Sequence, residues 1–159
     1  MTDKFVNFIN SILFAAVVAL LSPSLAAAHS NGIVKVRSAY SMEETIARIT
    51  KDVAGKGIKL FDVVDQAKLA KEAGITLNPS TLIIFGNPPL GTQFLVASPE
   101  AGLDWPVRLL VYQDSTGQVW TAYTDFQWIA RRHKIRNRGP QFKMASEVVA
   151  SITSAVKKR

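Results

Sequence analysis

The sequence predicts a two-layer α+β domain, on three observations. Short strand-type runs alternate with segments of helical period as far as Ala97. The last two strand-type runs flank Asp114-Ser115-Thr116-Gly117, a hairpin turn that makes their pairing antiparallel. A closing amphipathic segment, residues 141–157, carries Ala145, Val148, Val149, Ile152 and Val156 on one face. The expected order is β-α-β-α-β-α-β-β-α-α: about five strands in a mainly antiparallel sheet, with helices packed on one face.

Each element has its own signal. Ile33, Val34 and Val36 alternate with Lys35 and Arg37, which suits a strand with one wet face. Ser41 with Glu44 three residues on makes a capping box. Met42, Ile46, Ile49 and Val53 then recur at helical spacing, and Gly55 and Gly57 end the helix. Residues 58–64 return to strand character. Asp65 caps a short helix with Ala67, Leu69, Ala70 and Ala73, closed by Gly74. Residues 81–85 form a continuous apolar run of strand length. Gly86-Asn87-Pro88-Pro89 reads as a turn before a short helix at 90–97. Residues 107–112 and 119–123 are the hairpin strands, with the facing of Tyr112 and Trp120 left open. Asp125 caps a helix with Phe126, Ile129 and Ala130, and residues 136–141 are loop-like.

The first 28 residues point to export. Lys4 precedes a nearly unbroken apolar run at 9–21, Ser22-Pro23-Ser24 breaks it, and Ala26-Ala27-Ala28 supplies small residues for cleavage. The run is shorter than the roughly 20 residues a spanning helix wants. A periplasmic protein beginning near His29 is expected, with secretion as the alternative location and a retained anchor as the alternative fate. Residues 29–159 then form a single α+β domain. The chain has no cysteine, which excludes disulfides, a thiol nucleophile, iron–sulfur ligation and Cys-based zinc sites.

The net charge is +7, and much of it is concentrated. Arg131, Arg132, Lys134, Arg136, Arg138 and Lys143 follow Trp128 with no acid among them. Export disfavours nucleic acid as the partner. A solvated basic loop is the simplest reading, and an anionic membrane surface touching Arg131, Arg132, Lys134, Arg136 and Arg138 is the functional one.

Three blocks are distinctive together: Phe61-Asp62-Val63-Val64-Asp65-Gln66 with Ala70; residues 77–88 with Gly91-Thr92; and residues 101–108 with Val119-Trp120 and Tyr123. Over residues 33–134 the chain resembles the domain of unknown function 302 family. The resemblance implies a compact α+β fold and self-association into a homodimer, and little chemistry. Similar members carry His where this chain has Gln66, so no metal or proton-transfer role of that His carries over.

The candidate chemistry is sparse. His29 at the new N-terminus could chelate copper, though a loose first residue is the simpler reading. His133 suits the end of a helix. Asp65 and Asp104 could pair as acid and base; capping and turn roles are simpler. Gly86–Thr92 could offer backbone donors to an anion, but its prolines remove two of them. Phe85, Trp105, Tyr112, Trp120, Tyr123, Phe126 and Trp128 could line an apolar pocket, though most suit a core. The leading expectation is a periplasmic small-ligand-binding or interaction module. Its site would be Asp65, Asn87, Thr92, Asp104, Arg108 and Tyr123, with Arg108 holding a small anionic ligand. The alternatives are a hydrolase- or isomerase-like enzyme using the Asp pair, and an envelope-associated structural protein. No cofactor is expected, and the residues do not point to an enzyme.

Overall fold

A computed structural model describes residues 31–158, so the expected leader and His29 lie outside the described residues. Five strands form one sheet in the order β1-β5-β4-β3-β2. They are β1 (Ile33–Arg37), β2 (Lys59–Asp65), β3 (Ser80–Gly86), β4 (Val107–Gln113) and β5 (Val119–Thr124). Every neighbouring pair is antiparallel. The helices are α1 (Met42–Gly55), α2 (Gln66–Glu72), α3 (Pro88–Ala97), α4 (Phe126–Arg132) and α5 (Gly139–Ser154), with a 3-10 turn at Pro99–Leu103. The element order is the one the sequence predicts.

The caps explain why the helices begin where they do. Ser41, Asp65, Asn87 and Asp125 each accept a hydrogen bond from the backbone N–H three residues on. At α3 the structure extends the expected helix by two residues. Pro88 and Pro89 occupy the first turn, where a missing N–H costs nothing, so the segment read as a turn is the helix start.

The core lies on one sheet face. Ile83 and Phe85 of β3, Leu109 and Val111 of β4 and Val119 of β5 pack with Ile49, Val53, Phe94, Phe126, Ile129, Phe142, Val149 and Ile152 from the helices. Burying each such side chain contributes roughly 1.5–3 kcal/mol. Phe94 and Phe142 stack with ring centroids 4.3 Å apart, joining α3 to α5. α2 buries no side chain. Tyr112 and Trp120 are register partners, which settles their facing: they share the face opposite Leu109 and Val111. Trp120 Nε1 donates to Asp114 Oδ2 at 2.8 Å, tying that face to the hairpin turn.

Candidate functional site

Two neighbouring residues, Asp104 and Trp105, lead into the two places where side chains of functional type converge. The first is a charged cluster. Asp104 follows the 3-10 turn, and its side chain is 5% exposed. Its Oδ2 lies 2.6 Å from His133 Nε2, and the His133 side chain is 4% exposed. Arg132 Nη1 donates to both Asp104 oxygens at 3.2 and 3.3 Å, and Arg108 Nη2 lies 3.5 Å from Oδ1. Arg108 also donates to the Leu103 carbonyl. The carboxylate therefore ties the end of α4 to the start of β4. With both members of the Asp104–His133 pair buried, neither offers a free face to a substrate; the cluster reads as a clasp. Burial of a carboxylate demands such partners.

The second is a cleft of about 650 Å³ between the end of β3, α3 and the first half of α5. Phe85, Leu90, Phe94, Trp105, Val107, Phe126, Ala145 and Val148 give it apolar walls, and Asn87, Gln93, Gln141 and Lys56 are its polar members. Its volume lies in the range of small-ligand sites. Trp105 is seated by two glycines. A Cβ on Gly91 would fall 1.8 Å from its Nε1, and one on Gly86 3.1 Å away. Phe61, the extra residue of a β-bulge between Leu60 and Asp62, meets Trp105 edge to face at 6.1 Å. Gln141 Oε1 is buried and has no hydrogen-bond partner among the described residues.

The six residues expected to form one site are distributed over the molecule. Asp104 and Arg108 do meet. Asn87 lines the cleft while its Oδ1 accepts from Leu90 N at 3.1 Å. Thr92 donates its hydroxyl to Pro88 O at 2.7 Å. Tyr123 belongs to the core-facing row with Leu109. Loss of hydration raises its phenol pKa, with Asp125 adding to the shift and a hydrogen bond with Thr153 opposing it. Asp65 caps α2 by accepting from Lys68 N at 2.9 Å.

The expected Asp65–Asp104 pair does not form. Asp65 is in register with Thr81, whereas Asp104 precedes Val107, the partner of Phe85. The four residues from Thr81 to Phe85 span about 13 Å of strand. Gln66 Oε1 accepts from Ser80 Oγ at 2.7 Å, a purely local bond. Among the described residues no group of three His, Asp or Glu side chains could hold a metal. The sequence places His133 at the end of a helix, where it is the C-cap of α4, but nothing local connects it to Asp104, 29 positions away. Gln141 stands at the junction of the polar loop and the last helix, with no signal of the cleft.

The family model of domain of unknown function DUF302 matches residues 34–158. The chain belongs to this family. The match runs through α5, beyond the 33–134 span of the sequence blocks, in keeping with Phe142, Ala145, Val149 and Ile152 of α5 being core residues. The crystal structure of an uncharacterized conserved DUF302 protein from Bacillus stearothermophilus is similar in fold. It has a TM-score of 0.73 and 16% identity, covering 80% of this chain and all of that one. A protein named fluoride-specific ion channel FluC 1 from Brucella suis is 41% identical over 113 residues, covering 71% of this chain and 44% of its own length. FluC 2 of Brucella melitensis matches at 41% over 113 residues, covering 71% of this chain and 42% of its own length. The chain thus spans less than half the length of these relatives.

Proposed function

We propose that this DUF302 protein is an exported small-ligand-binding module whose ligand occupies the cleft over Trp105. The observation that carries the reading is Gln141 Oε1, a buried acceptor with no hydrogen-bond partner among the described residues, in the wall of an apolar cleft. Leaving such a group unmatched costs roughly 1–3 kcal/mol. A ligand with an apolar body and one N–H or O–H donor recovers that cost once the Gln141 amide turns toward the cleft, while covering Phe85, Leu90 and Trp105. Export follows from the pattern of residues 1–28.

The test uses N-phenyl-1-naphthylamine, an apolar probe with one N–H donor. Its fluorescence should rise on saturable one-to-one binding. Met144→Trp, on the exposed cleft-lining turn of α5, should abolish the rise while leaving the circular dichroism spectrum unchanged. No saturable binding, or binding indifferent to Met144→Trp, contradicts the assignment.

The Brucella relatives support a second reading. No described helix of this chain is long and apolar enough to cross a membrane. In a channel that carries a related domain, the rest of the polypeptide would then supply the spanning helices. On this reading the present chain is a separate form of a module that works beside a membrane anion channel. Deleting its gene should sensitise the host to fluoride, and unaltered growth in fluoride contradicts the link.

A further inference from the structure

We propose that this protein docks on an anionic lipid surface through the face at which its chain enters the fold, formed by Trp128, Arg131, Arg132 and Arg136. The proposal is independent of the cleft.

The entry point is fixed by contacts. Asp125 N donates to Gly32 O at 2.7 Å, and Ile33 is in register with Thr124 at the end of β5. Gly32 lies so close to Trp128 that a Cβ there would fall 2.4 Å from Cγ of the indole. The residue through which the chain arrives is therefore fastened to the start of α4. Upstream of it in sequence is the apolar run at 9–21, the stretch that delivers an exported chain to a bilayer.

The same short helix ends in the charge. The Arg132 guanidinium stands 5.4 Å over the Trp128 ring, and Arg131, Lys134 and Arg136 follow, all exposed. Among the described residues, Asp104 is the carboxylate in contact with residues 131–136. It is buried and already shared by Arg108, Arg132 and His133. Arg131, Lys134 and Arg136 form no ion pair among the described residues, so their charge stands uncompensated. Leu103, immediately before Asp104, is 64% exposed, and its carbonyl accepts from Arg108. Uncompensated cations with an aromatic side chain among them suit the headgroup region of an anionic bilayer. Arg138 contributes less, since it donates to Asn137 O and its Nε is buried.

The test floats the protein, as recovered from the exporting cell, with phosphatidylglycerol-containing vesicles and with pure phosphatidylcholine vesicles. Salt-sensitive binding to the first, in excess of binding to the second, is expected. Arg131→Glu with Arg136→Glu should weaken that excess roughly tenfold or more. Arg131→Gln with Arg136→Gln gives a smaller loss, in case charge reversal disturbs α4. Lys51→Glu with Lys71→Glu makes the same change in net charge on α1 and α2 and should leave binding unchanged. Equal binding to both vesicle types, or equal losses in the two Glu pairs, overturns the proposal. Binding to polyglutamate without a phosphatidylglycerol preference, removed by the Arg131/Arg136 pair, assigns the face to an acidic protein and overturns it as well.

Discussion

The Asp104 cluster and the Trp105 cleft begin at consecutive residues and have opposite character. In the cluster, one carboxylate is shared by a histidine and two arginines, and the acid and the histidine are both buried in that contact. In the cleft, the walls are apolar and one amide oxygen is left unmatched. Titratable residues draw attention in a sequence because catalysis uses them, but here they are consumed in holding α4 to β4. The unmatched group belongs to a glutamine, a residue type that rarely attracts a functional reading.

Removing the centre of the clasp should have the largest effect. Asp104→Ala leaves the buried His133 and the Arg132 guanidinium without their acceptor and should cost about 3 kcal/mol in urea unfolding. Probe affinity of the folded fraction should be unchanged. A loss of stability below about 1 kcal/mol would mean that the cluster is not a clasp.

Gly91→Val comes next. The added side chain falls within the indole of Trp105, so the ring must move, at about 2 kcal/mol. Unlike Asp104→Ala, this change should also shift the Trp emission and weaken N-phenyl-1-naphthylamine binding. Retained emission and affinity would mean that Trp105 does not shape the cleft.

Gln141→Met sharpens the contrast in the other direction. Replacing an unmatched buried amide by an apolar side chain of similar length should raise stability by up to about 1 kcal/mol while lowering affinity for an N–H donor probe. Lower stability would show that the amide is already satisfied in the protein.

The smallest effect lies outside both regions. Asp114 Oδ1 accepts from Thr116 Oγ1 and from the Thr116 and Gln118 amides, and Oδ2 accepts from Trp120. The side-chain bonds from Thr116 and Trp120 do most to lower its pKa to about 2. A lowered carboxylate pKa gives stability that is present above the ordinary value of 3.8 and lost as pH falls toward about 2. Carboxyl chemical shifts should place the Asp114 midpoint near the lower value, and Asp114→Asn should flatten thermal stability across that window. A midpoint near 3.8 would show that the turn bonds do not hold in solution.

Much of the fold is legible locally. Ser41, Asp65 and Asp125 announce helix starts, and the 114–117 turn fixes the hairpin, because caps and turns need only a few adjacent residues. Asn87 reads with Pro88 and Pro89 as a turn before the helix, whereas it is the cap itself, because proline fits the first turn of a helix. The site is legible only in part. Of the seven aromatics the sequence offers for a pocket, Tyr112, Trp120, Tyr123 and Trp128 do not line the cleft, whereas Phe85, Trp105 and Phe126 do. Gln141 joins them only through the packing of α5 on α3, made by Phe142 against Phe94. Likewise the Asp104–His133 contact spans 29 positions and leaves no mark on any local pattern.

The most direct measurement is a two-dimensional amide spectrum of the protein titrated with N-phenyl-1-naphthylamine. Its three tryptophans report from three places: Trp105 from the cleft, Trp120 from the opposite sheet face and Trp128 from the chain entry. Ligand binding in the cleft predicts saturable shifts of the Trp105 indole N–H and the Gln141 side-chain amide, with Trp120 and Trp128 still. Shifts centred on Trp120 or Trp128, or none at all, would contradict it.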